Sequence, residues 1–163
     1  MCGIVGYIGT KKATPILIDG LLKLEYRGYD SAGISTIESD GISNIKETGR
    51  VKNLSETNGI KNLTGTIGIA HTRWATHGKP SKENSHPHLD NSKTFAVVHN
   101  GIIENYLEIK EKLILEGHVF KSDTDTEVIP HLIQKFMAEK FDLEHAVRKT
   151  IDVIEGAYAI AAI

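Results

Sequence analysis

Met1-Cys2-Gly3-Ile4-Val5-Gly6 opens the chain and decides how the rest is read. Cys2 is the one cysteine among 163 residues and stands directly behind the initiator methionine. Its small side chain permits removal of Met1, which would make Cys2 the N-terminus. One residue would then carry a thiol of ordinary pKa about 8.5 and an α-amine of about 7.7–8.0. Such an amine can act as general base for its own side chain near neutral pH. The plain alternative is a small buried hydrophobe at the start of a strand. Gly3 to Ile8 does read as a short buried strand, apolar and β-branched, with glycines at its ends.

A chain of 163 residues suffices for one domain with its own core. Hydrophobic content of 40% and charged content of 25% fit a soluble globular protein. A net charge of −2 gives no pull toward nucleic acid or an anionic membrane. A lone cysteine closes no internal disulfide, which fits a reducing, cytoplasmic compartment. The apolar runs fall far short of the roughly 20 residues a membrane span needs, and no secretion signal is evident.

Beyond the first strand, a helix is expected with Thr14 as N-cap and Pro15 at its first position. Strands are expected over 33–37 and 42–47, joined by the hairpin signal Asp40-Gly41. A short helix follows over 51–57 and an apolar strand over 66–71. A long irregular segment then runs to about Asn91, and segments of that kind are usually functional or disordered. A buried strand at 94–99 and a helix at 105–116, stopped by Gly117, come next. Thr124-Asp125-Thr126-Glu127 fits a capping box, ahead of a helix with Val128, Ile129, Leu132, Ile133 and Phe136 on one face. Pro130 sits near its first turn and is expected to delay or bend it. Asp142 caps a last helix with Leu143, Val147, Ile151 and Ile154 inward. The chain stops within Gly156-Ala157-Tyr158-Ala159-Ile160-Ala161-Ala162-Ile163, an apolar strand with no turn after it, which predicts a domain incomplete at its C-terminus. Strands on both sides of a helix group argue for layered α+β, with the number of sheets left open.

Several polar residues suit amide chemistry. Thiolate attack on a carboxamide needs oxyanion donors, and a side-chain amide beside a backbone N–H, as in Asn100-Gly101, is one such pair. The competing reading of Asn-Gly is a type I′ turn. A free α-amino acid needs a cation for its carboxylate and an anion for its ammonium. Arg73 offers a planar two-pronged donor, and Asp125 an acceptor at a helix start. Otherwise Arg73 is a solvated loop charge and Asp125 a complement to the helix dipole. Five histidines (His71, His77, His86, His88 and His99) fall in one segment, but no carboxylate or second cysteine completes a metal-ligand spacing.

Taken together, these stretches resemble the class II glutamine amidotransferases, which use an N-terminal cysteine. Residues 25–33 (Glu-Tyr-Arg-Gly-Tyr-Asp-Ser-Ala-Gly), His71-Thr72-Arg73-Trp74-Ala75-Thr76-His77-Gly78 and His86-Pro87-His88 look like the branch that makes glucosamine 6-phosphate. So do residues 98–105 (Val-His-Asn-Gly-Ile-Ile-Glu-Asn) and Thr124-Asp125-Thr126-Glu127. Each match is weak alone; together, in order, they span the chain. The resemblance implies the four-layer αββα sandwich of N-terminal nucleophile hydrolases. It implies Cys2 as nucleophile, Asn100 and Gly101 as oxyanion donors, and Arg73 and Asp125 as clamps for glutamine. Trp74, Thr76 and His77 would lie in the substrate-binding loop, with Arg27 and Asp30 nearby. It implies L-glutamine as substrate and no metal or organic cofactor. In complete members ammonia passes to fructose 6-phosphate on a sugar isomerase domain, which is absent here, and a homodimer is implied. Residues 1–163 would be the partial amidotransferase domain. The amidophosphoribosyltransferase branch, which usually has His where this chain has Tyr26, is the runner-up; a catalytically silent glutamine-binding module is the rival from another class.

Overall fold

The computed structural model describes residues 2–75 and 78–163. It begins with β1 (Gly3–Ile8), α1 (Ala13–Leu24) and a 3-10 turn over Glu25–Arg27. The hairpin β2 (Ser31–Glu38) and β3 (Gly41–Thr48) follows, then α2 (Val51–Glu56) and β4 (Ile67–Arg73). The second half contains β5 (His88–Leu89), β6 (Ala96–Gly101), α3 (Tyr106–Leu115), a 3-10 turn over Asp125–Glu127, α4 (Val128–Ala138), α5 (Leu143–Val153) and β7 (Tyr158–Ala162). One sheet has the order β1-β4-β2-β3 and the other β5-β6-β7, and every pairing is antiparallel.

Alternation along the strands builds the layers. On β4, Ala70 faces a core with Leu17 and Leu21 of α1 and Leu54 of α2. Its neighbour Ile69 faces the other way, onto Ala96 and Val98 of β6. On β6, Val97 turns from that seam toward Ile109, Ile129 and Ile133 of the second helical layer. Helix, sheet, sheet and helix are thus stacked as the resemblance implies. The seam between the sheets is thin, its buried members being Ile69, Ala96 and Val98.

Local chemistry adjusts several expectations. Helix α1 starts earlier, with Lys12 at the cap and Thr14 buried inside the first turn. Pro15 is then its third residue, where the missing N–H costs nothing. Gly20 sits mid-helix because a Cβ there would come within 2.8 Å of Val5 on β1. Pro130 is likewise third in α4, and the regular helix starts only at Val128, after a 3-10 turn over Asp125–Glu127, as expected of a proline near the first turn. The capping box at Thr124 does not form: its hydroxyl joins Ser122 and His88, 2.9 and 3.1 Å away. Glu127 accepts from the N–H groups of Lys121 and Ser122 and from the Ser122 hydroxyl. Asp142 does cap α5, accepting from His145 N–H at 2.9 Å. The inward face of α5 holds Ala146 and Thr150 beside the expected Leu143, Val147 and Ile154, but Ile151 is exposed. Thr150 tolerates burial because its hydroxyl donates to the Ala146 carbonyl. Asn100-Gly101 is the end of β6 rather than a turn.

Candidate active site

A cavity of about 480 Å³ opens at one end of the sandwich, where β1 and β7 begin and β4 and β6 finish. Strand register brings its walls together. Gly3 pairs with Thr72, so one further step sets Cys2 opposite Arg73. Parity places Cys2 on the same side of β1 as Ile4, and Arg73 on the same side of β4 as Ile69, both toward the second sheet. Asn100 shares its side of β6 with Ala96 and Val98 and looks back at them. Cys2, Arg73, Asn100, Gly101 and Asp125 all line the cavity.

The Cys2 sulfur is partly exposed and is held by Trp74, whose backbone N–H donates to it at 3.2 Å. The indole of Trp74 is half exposed at the rim and meets Tyr29 edge-on, centroids 5.6 Å apart. The loop is further tied by Asp30, whose carboxylate accepts from Ala75 N–H and whose own N–H donates to the Arg73 carbonyl. Thr76 and His77, expected in the same loop, lie outside the described residues.

Arg73 is buried, and one guanidinium nitrogen donates to the Gly78 carbonyl at 3.2 Å. Burial pulls it below its ordinary range, against the opposing pull of the Asp30 and Asp125 carboxylates. Asp125 is buried in the 3-10 turn before α4, its Oδ2 accepting from Ile103 N–H at 2.8 Å. A cation and an anion on one cavity suit the two charged ends of a free amino acid. The Asn100 Nδ2 donates to the Cys2 carbonyl at 3.2 Å, beside the sulfur. Gly101 is required twice over: its φ is +129°, and a Cβ would meet the Ala157 carbonyl at 2.2 Å.

Four buried histidines adjoin this wall, of which His86 and His99 line the cavity while His71 and His88 stand behind it. His71 Nε2 lies 2.8 Å from Asn100 Oδ1, and the His71 ring stacks on His86 with centroids 4.1 Å apart. His99 Nδ1 meets the Thr126 hydroxyl at 2.8 Å and His88 Nε2 meets the Thr124 hydroxyl at 3.1 Å. Burial lowers His71 to about 4 and holds His86, His88 and His99 below the usual imidazole range, so all four are neutral at pH 7. Among the described residues no three His, Cys, Asp or Glu side chains converge as a metal site would require. The loop carrying His86 is anchored by Lys46, whose ammonium donates to the Ser85 and Glu83 carbonyls at 2.7 and 3.2 Å and is lowered to about 8 by burial.

Charge made Arg73 and Asp125 candidates, and the resemblance favoured them. His71, His86, His99 and Thr126 were not, because their contacts join β4, β6, the 86–88 loop and the α4 turn, distant in sequence. Strand parity would have found His71, two residues from Arg73 on one face of β4.

Residues 71–163 match the profile of a glutamine amidotransferase domain. Over all 163 residues the chain is 57% identical to a glutamine–fructose-6-phosphate aminotransferase (isomerizing) of Clostridium tetani, covering 26% of that protein. A protein of the same description from Aquifex aeolicus is 54% identical, with 27% of its length covered. The chain therefore spans about a quarter of these curated relatives. Among solved structures, a glutamine phosphoribosylpyrophosphate amidotransferase from B. subtilis, complexed with ADP and GMP, superposes with a TM-score of 0.85 at 28% identity, over all of this chain and 35% of that one.

Proposed function

Because the chain belongs to the glutamine amidotransferase domain family, we propose that residues 1–163 form a glutaminase unit that hydrolyses the side-chain amide of L-glutamine. Arg73 receives the substrate carboxylate and Asp125 its ammonium, with Trp74 at the rim and Thr76 and His77 completing the loop. After Met1 is removed, the α-amine of Cys2 takes the thiol proton as the sulfur attacks the amide carbon. The resulting oxyanion is met by the Asn100 amide and the Gly101 N–H. The tetrahedral adduct collapses to a thioester, and the proton held by the amine leaves with nitrogen as ammonia. Water then adds to the thioester, releasing glutamate and restoring the thiol. The convergence of Cys2, Arg73, Asn100 and Asp125 on one cavity carries this reading.

The relatives' description supports fructose 6-phosphate as the ammonia acceptor, and their greater length leaves room for the sugar isomerase domain that would hold it. A homodimeric, cytoplasmic protein belongs to the same proposal. An amidophosphoribosyl transfer role is less well supported, at 28% identity against 57%. No nucleic acid or membrane partner belongs to this reading, and no helix among the described residues is long and apolar enough to cross a membrane. Glutamate release from glutamine by Met1-free protein is the test, beside Cys2→Ala. Equal rates would reject the enzyme and leave a glutamine-binding module.

A further inference from the structure

Resting on the glutaminase reading above, we infer that His71 is the positioning residue that aims the Asn100 amide. An asparagine side chain has two ends of nearly equal shape and opposite chemistry. With nitrogen toward the sulfur it can stabilise an oxyanion; turned over, it would present an oxygen and repel one. The Cys2 carbonyl fixes one end, because it can only accept, and Asn100 Nδ2 lies 3.2 Å from it. Oδ1 therefore faces His71 Nε2 at 2.8 Å, and that nitrogen must carry a proton. His71 is wholly buried and its Nδ1 has no hydrogen-bond partner, so a second proton there would go without an acceptor and the ring is the neutral Nε2–H form.

The ring has little freedom to turn. It lies against His86 at an interplanar angle of 12°. His86 is itself fixed, its Nδ1 accepting from His99 N–H at 3.3 Å and its Nε2 standing 3.4 Å from the Thr126 hydroxyl. His71 is not among the residues lining the cavity, whereas Asn100 is. It therefore acts through Asn100 and never touches substrate. The amide nitrogen has two hydrogens: one is spent on Cys2 and the second remains for the oxyanion.

Glutamine hydrolysis by Met1-free wild type, Cys2→Ala, His71→Phe and His71→Gln tests this, together with ¹⁵N NMR of the wild-type imidazoles. Loss of an oxyanion donor typically slows turnover by about 100- to 1000-fold. Phe keeps the ring stack but donates nothing, so kcat should fall by about 10- to 100-fold with KM within about 3-fold, as expected when a donor is misaimed rather than removed. Gln, which can donate to Oδ1, should recover most of that loss. The NMR spectrum should show His71 protonated at Nε2. A folded Phe variant with wild-type kcat, or a wild-type His71 protonated at Nδ1, overturns the inference. If Phe and Gln fail to fold, the wild-type tautomer decides alone. If wild type is no faster than Cys2→Ala, the glutaminase reading falls and the tautomer still decides whether His71 orients Asn100.

Discussion

Cys2 has two neighbours with separate tasks: the Trp74 N–H orients its sulfur, and the Asn100 amide holds its carbonyl. Neither supplies a base, so in the proposed reaction proton transfer falls to the terminal nitrogen. A variant with one extra residue ahead of Cys2 converts that nitrogen to an amide. Its glutaminase rate should drop by about 100-fold or more, the usual worth of a general base, with intact mass confirming the added residue. Arg73 is a second test. Lysine keeps the charge but loses the planar fork that pairs with a carboxylate. Arg73→Lys should raise KM for glutamine by about 10-fold or more while moving kcat less. Charge complementarity made Arg73 and Asp125 candidates from sequence, and the family resemblance favoured them over a solvated charge and a helix-dipole complement; the structure places both on one cavity. The Asn100–His71 bond was hidden, because it depends on which strands meet across the seam.

Among the elements, the end of β2 and the segment leading into β4 show how one carboxylate ties two stretches of chain together. Glu38, at the end of β2, accepts from the Thr36 hydroxyl, from the N–H and hydroxyl of Thr64, and from Gly65 N–H. Burial pushes its pKa up, but these four donors outweigh it and hold the carboxyl at about 2. A depressed carboxyl stabilises the fold fully above its unfolded pKa, and that contribution fades as pH falls through the folded value. Glu38→Gln should therefore cost on the order of 1 kcal/mol at pH 7, modest because solvent still screens a partly exposed group. Urea unfolding should show the difference shrinking from about pH 4.5 downward and nearly gone by about pH 2. Elements with strong local signals were legible: the β2–β3 hairpin at Asp40-Gly41, the Asp142 cap, and the Gly117 stop, where φ is +95°. Thr124 misled because the box pattern needs a free hydroxyl, and tertiary contacts to Ser122 and His88 claim it.

For the whole molecule, the number of sheets could not be read, because alternation gives each strand two faces without naming what covers them. The seam resolves it: small Ala96 faces Ile69 and lets the two sheets approach. Ala96 is fully buried, so Ala96→Leu should overpack the seam and destabilise by about 1–3 kcal/mol. Thermal melting would report the loss, and KM for glutamine should rise if the cavity walls are wedged apart. The order of strands and the spread of site residues from position 2 to position 125 follow from that stacking, not from any local pattern.

The cavity takes Cys2 and Arg73 from the first sheet, and Asn100 and Asp125 from the other half of the fold. A nascent or damaged chain with one half ordered presents a sulfur without an amide beside it, or a grip without a sulfur. Under the proposed reaction such a chain would be inert rather than wasteful, and turnover would double as a certificate that both halves have been completed and joined.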